Sequence, residues 1–139
     1  MDYRKEFERM MRSQTAIALA TSVDGFPNVR IVNFYYDTNQ KTLYFATFGD
    51  NQKVAELLGN PQVAFTTITD SGEEHIRVKN GMVRQSIVSV EEIKDKFLAK
   101  LPEYIMGIPD VLPALVLFEI TFESADVVLD FEHMDTITI

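Results

Sequence analysis

The run Val29-Arg30-Ile31-Val32-Asn33-Phe34-Tyr35-Tyr36 restricts the possible folds more than any other segment of the chain. Read as a strand, it places Val29, Ile31, Asn33 and Tyr35 on one side and Arg30, Val32, Phe34 and Tyr36 on the other. Both sides are largely apolar. A strand in a small antiparallel barrel ordinarily shows one face to water. The second face here therefore meets a partner subunit, a ligand, or both.

The rest of the chain supplies the barrel. Strand-like runs cover Ala16 to Thr21, Thr42 to Thr47 and Val63 to Thr69, with turn residues at Asp24-Gly25, Asp37 to Gln40 and Asp70-Ser71-Gly72. Asn80-Gly81, between His75 to Lys79 and Met82 to Ser86, is the strongest hairpin signal. Ala114 to Phe122 and Val127 to Phe131 read as the closing strands. Helical spacing of Tyr3, Phe7, Met10 and Met11 predicts an N-terminal helix. Ser89-Val90-Glu91-Glu92 is a capping box opening a helix to about Lys100, and Pro102 to Pro113 predicts a short helix. Strands joined by short turns, with helices inserted, predict an α+β fold, mainly β, built as a closed or nearly closed barrel.

A length of 139 residues suits one domain spanning 1–139, and 46% hydrophobic residues suit a folded core. No apolar run is long enough for a membrane span, and the N-terminus lacks the apolar stretch of a secretory signal. Cysteine is absent, which excludes disulfides and thiolate chemistry. These features predict a cytoplasmic protein. The formal net charge of −8 disfavours nucleic acid and anionic membranes as partners, and requires any anionic ligand to find a local cluster of cations.

Such a cluster is suggested around "FATFGDNQK", where a strand ends at Thr47 and a helix over Asn51 to Leu58 follows. With Asp50 as N-cap, Lys53 falls in the first turn, where the helix dipole mildly repels a cation. Arg30 sits on an apolar face and needs an anionic partner if buried, the ordinary one being a carboxylate. If 37–40 is a hairpin, Arg30 and Thr47 lie on neighbouring strands. Arg30, Thr47, Lys53 and the helix amides then converge as a phosphate site. His75 and His133 lack the companions of a triad or metal cluster, and no metal site is expected. Arg77, Lys79 and Arg84 read as cross-strand pairs or as a basic rim suited to a phosphorylated donor.

Three stretches carry a family resemblance over nearly the whole chain. "ALATSVDGFPNVRIVNFYYD" resembles a first hairpin with an Asp-Gly-x-Pro turn followed by Arg-x-x-x-Phe. "LYFATFGDNQKVAELLGNPQVAF" resembles a Phe-Ala-Thr strand end, a lysine opening a short helix, and Asn-Pro before the next strand. "LPEYIMGIPDVLPALVLFEIT" is similar to the small general-stress-protein branch. Together they resemble the pyridoxamine 5′-phosphate oxidase-like, FMN-binding split-barrel family.

The resemblance implies a split barrel, a homodimer and FMN bound at the subunit interface. It implies that Arg30 and Lys53 hold the FMN phosphate, with flavin contacts from Ile31, Val32, Asn33, Phe45, Ala46 and Thr47. It also implies a small FMN-dependent oxidoreductase, with NAD(P)H a possible donor and no catalytic side chain assigned. Alternatives within the same resemblance are a non-enzymatic flavin-binding stress protein, a nitroimidazole reductase, or a relative that binds F420 or haem. Authentic pyridoxamine-phosphate oxidases are longer and have basic residues near the C-terminus, whereas this chain ends in "DFEHMDTITI" and contains no Trp. The resemblance therefore implies a substrate other than pyridoxamine phosphate.

Overall fold

The structure is a computed structural model that describes residues 1–50 and 52–139. Among the described residues, nine strands and three α-helices follow in the order α1 (Tyr3–Ser13), β1 (Ala16–Val23), β2 (Phe26–Asn33), β3 (Tyr35–Asp37), β4 (Thr42–Phe48), α2 (Gln52–Gly59), β5 (Gln62–Thr67), β6 (His75–Gln85), α3 (Val90–Lys100), β7 (Leu115–Thr121), β8 (Ser124–Val128) and β9 (Met134–Thr138). None of the described helices is long and apolar enough to cross a membrane.

All neighbouring strands are antiparallel, in the order β2-β1-β5-β6-β7-β4-β3. The two end strands, β2 and β3, are consecutive in the chain and separated only by Phe34. The sheet therefore returns on itself as a barrel. The predicted single strand over 29–36 is in fact two strands. Phe34 leaves the ladder, its N–H donating to Thr15 O at 3.1 Å, and its ring is fully buried in the core. The first half of the run then pairs with β1 and the second half with β4.

Lys100 locks this corner. Its Nζ donates to Met11 O and Phe34 O, each at 3.1 Å, and lies 3.6 Å from the centre of the Phe34 ring. Burial pushes its ammonium down to about 7, while the two carbonyls and the ring face favour the charged form.

The barrel splits at β6. Its N-terminal half pairs with β8, which carries β9, and its C-terminal half pairs with β7. This corrects the hairpin expected at Asn80-Gly81, since both residues lie inside the continuous strand β6. Gly81 does not have a positive φ. What it provides is room: a Cβ there would lie 3.1 Å from Ile120 Cγ2, 3.2 Å from Val63 Cγ2 and 3.3 Å from Val63 O. The β5–β6 register shifts beside it, between Val63 and Phe65. Here the glycine marks a close backbone approach rather than a turn.

The turn at Asp24-Gly25 and the cap at Ser89 hold, while two later elements differ. Asp24 and Gly25 have φ of 52° and 82°, the hand a tight hairpin turn requires. Ser89 caps α3 by accepting from Glu92 N. The helix expected in 102–113 is replaced by two single turns of tight helix, Ile105–Gly107 and Leu112–Ala114. The closing strand expected at 127–131 lies earlier, and β9 follows it.

Two apolar layers result. Leu43 and Phe45 of β4 point into the barrel with Phe7, Ile17, Leu19, Phe34 and Phe118. Tyr44 and Ala46 point outward and are covered by Ile93 and Phe97 of α3 and by Met106. We predict that Gly81→Val lowers the unfolding free energy by about 1–3 kcal/mol through overpacking against β5 and β7. Urea denaturation checks this, and a neutral effect would show that the approach is not tight.

Candidate functional site

The site forms where β2 passes beneath α2. Pleating turns Arg30 and Val32 of β2 inward, while Val29 and Ile31 point outward and are 64% and 69% exposed. On α2 the buried residues are Lys53, Glu56 and Leu57, the i, i+3, i+4 stripe of one helix face. This helix packs on β1, β4 and β6, and β4 also touches β2. Lys53 is only 7% exposed and Glu56 8%.

Glu56 is the hub of the hydrogen bonding. Arg30 Nη2 lies 3.1 Å from Glu56 Oε2, and Thr21 Oγ1 donates to the same oxygen at 3.1 Å. Asn28 Nδ2 donates to Oε1 at 3.4 Å. Arg30 thus finds a carboxylate on the neighbouring helix. Lys53 lies close enough to Arg30 to sense its charge. Burial pushes the Lys53 ammonium below the ordinary lysine range, and the like charge of Arg30 pushes it further the same way. Two cations are therefore held together in a half-dry site, with one carboxylate between β2 and α2. A cavity of about 420 Å³ lined by Ser22, Asp24, Gln52, Glu56 and Asn60 reaches the cluster at Glu56.

The remaining candidates are placed as follows. Thr47 is buried on β4. Arg30 is opposite Leu19 and Thr47 opposite Val116, so the two strands are not hydrogen-bonded neighbours as the hairpin argument supposed. The hairpin over 37–40 is real, but it joins β3 to β4 beyond the break at Phe34. The ring of Phe45 is fully buried in the barrel and stacks on Phe118 at 5.5 Å between centroids, leaving only its main chain to face a ligand. Ala46 belongs to the outer layer under α3. Val32 is buried, and half-buried Asn33 donates to Thr15 O at 3.1 Å. The expected start of α2 at Asn51 lies outside the described residues, and its last residue is Gly59 rather than Leu58.

The basic rim is already paired: Arg77 and Lys79 lie 3.4 and 3.9 Å from Asp126, and Arg84 contacts Glu119. His75 Nδ1 is 2.7 Å from Glu73 O, and His133 Nδ1 is 2.8 Å from Asp130. Among the described residues no group of three or more His, Asp or Glu side chains is placed to hold a metal ion. Thr21, Asn28 and Glu56 are the residues that sequence reasoning missed. Only Glu56 had a signal, its spacing of three from Lys53.

The family profile of pyridoxamine 5′-phosphate oxidase-like proteins matches residues 10–133, and the chain belongs to that family. No curated protein matches it in sequence. Among solved structures it is similar over its full length to General Stress Protein 26 from Bacillus anthracis, also covered completely, with 21% identity and a TM-score of 0.76. It is similar to an FAD-binding protein from Mesorhizobium loti at 18% identity and a TM-score of 0.65, covering 87% of this chain and 90% of that one. It is also similar to the haem storage protein HutZ from Vibrio cholerae at 19% identity and a TM-score of 0.65, with 88% and 92% covered. These likenesses show the split-barrel fold.

Removing one member of the ion pair strands the other. We predict that Arg30→Ala destabilises the protein by about 2 kcal/mol or more, because Glu56 is left as a buried charge without its cation. The double variant Arg30→Ala/Glu56→Gln should recover part of that loss. Denaturant unfolding of both variants checks the coupling, and equal stability of the two would contradict it.

Proposed function

We propose that the chain binds FMN, with the phosphate held between Arg30 and Lys53, and serves as a small flavin-dependent oxidoreductase. The observation that carries this reading is the burial of Lys53 beside a second cation. Two cations brought to one place by β2 and α2 can each give a charge-assisted hydrogen bond to a bound phosphate.

A bound flavin would supply hydride chemistry at its ring, and the chain's own part is binding, orientation and shielding from water. The pairing of Arg77, Lys79 and Arg84 with Asp126 and Glu119 speaks against a second phosphate site there, and so against pyridoxamine phosphate as substrate. We assign the exposed outer face of β2, with Val29 and Ile31 at 64% and 69% exposure, to the interface of a homodimer.

A relative with this fold stores haem, but the Arg30–Lys53 cluster holds neither of the chain's two histidines, which lie at β6 and beyond β8. Flavin is therefore the better fit. Fluorescence titration of the ligand-free protein should find FMN bound at least about 100-fold more tightly than riboflavin, given about 1.5–3 kcal/mol for each charged hydrogen bond. Equal affinity for the two flavins would contradict the assignment.

A further inference from the structure

Glu56 is not explained by phosphate binding alone. A site built only to attract a dianion would not hold a buried carboxylate 3.1 Å from its arginine. Nor is this carboxylate free to swing aside, because Thr21 and Arg30 hold Oε2 and Asn28 holds Oε1. It rises from the same face of α2 as Lys53, one turn later, so one helix delivers a cation and an anion to the same guanidinium. Any phosphate within reach of Arg30 must therefore share that guanidinium with a fixed negative charge.

We propose that Glu56 is a specificity-determining residue: its carboxylate cancels one of the two cations and disfavours a phosphate dianion relative to ligands of lower charge. The inference rests on Arg30 and Lys53 being the phosphate site. Glu56 occupies one of the donor directions of Arg30 and leaves the others for the ligand. In a partly dry site, like-charge repulsion is weakly screened, so a single carboxylate is enough to shift anion affinity strongly. A residue acting only as a prop for Arg30 would have the opposite effect when neutralised, because a loosened guanidinium binds phosphate less well.

The test uses Glu56→Gln, which removes the charge but keeps the shape and one acceptor oxygen, and Glu56→Asp, which keeps charge. FMN, riboflavin and inorganic phosphate are each titrated against the ligand-free proteins. In Glu56→Gln the preference for FMN over riboflavin should rise about tenfold or more, and inorganic phosphate should bind more tightly. In Glu56→Asp both should stay within about threefold of the wild type. A preference that is unchanged or lower in Glu56→Gln, while the wild type still prefers FMN, overturns the role of Glu56 and leaves the flavin reading intact. Tighter inorganic phosphate in Glu56→Gln with no flavin bound by either protein supports Glu56 and overturns the flavin reading. No phosphate dependence in any of the proteins overturns both.

Discussion

Closure of the barrel at Phe34 is the constraint from which the rest follows. A sheet whose end strands are joined by one residue has no choice but to curl, and the residue at the join must be held firmly. Phe34 is held by its own N–H on Thr15 O, by burial of its ring, and by Lys100 above the ring and on its carbonyl. Because Lys100 also takes Met11 O, the ends of α1 and α3 are tied to the same corner. The closure also brings β2 against β4 and so sets Arg30 beneath the helix that follows β4.

That placement makes the charge cluster. Lys53 and Arg30 come from elements remote in sequence, and their proximity is imposed by the barrel, against their mutual repulsion. Glu56 offsets part of the cost, as the ordinary reading of a buried arginine anticipates, and Thr21 and Asn28 satisfy its remaining lone pairs. A buried ion pair of this kind adds little net stability, but losing one partner is expensive.

Legibility in the sequence followed local chemistry. The capping box at Ser89, the turn at Asp24-Gly25 and the helical stripe of α1 were readable because each depends on neighbours a few residues away. Asn80-Gly81 misled because the same glycine that permits a turn also permits close packing, and only Val63 and Ile120 reveal which applies. The break at Phe34 was invisible because its cause, the pull of β1 on one half and β4 on the other, is tertiary. β9 was missed because it is an outlying strand paired only with β8, and it lacks a buried face. At the site, Arg30 and Lys53 were legible as cations in unusual positions. Among so many acidic residues, nothing local singled out Glu56 as the partner of Arg30.

The central claim is our proposal that Lys53, buried beside Arg30, gives its charge to a bound phosphate, and its titration tests this directly. Burial and Arg30 lower its pKa in the ligand-free protein, so Lys53 loses its proton at a lower pH than an exposed lysine would. A bound phosphate favours the ammonium, so binding must raise that value and take up protons in the intervening pH window. NMR titration of the Lys53 side chain, with and without FMN, should show a depressed value that climbs on binding. An ordinary lysine value in the ligand-free protein, unmoved by FMN, would contradict the account.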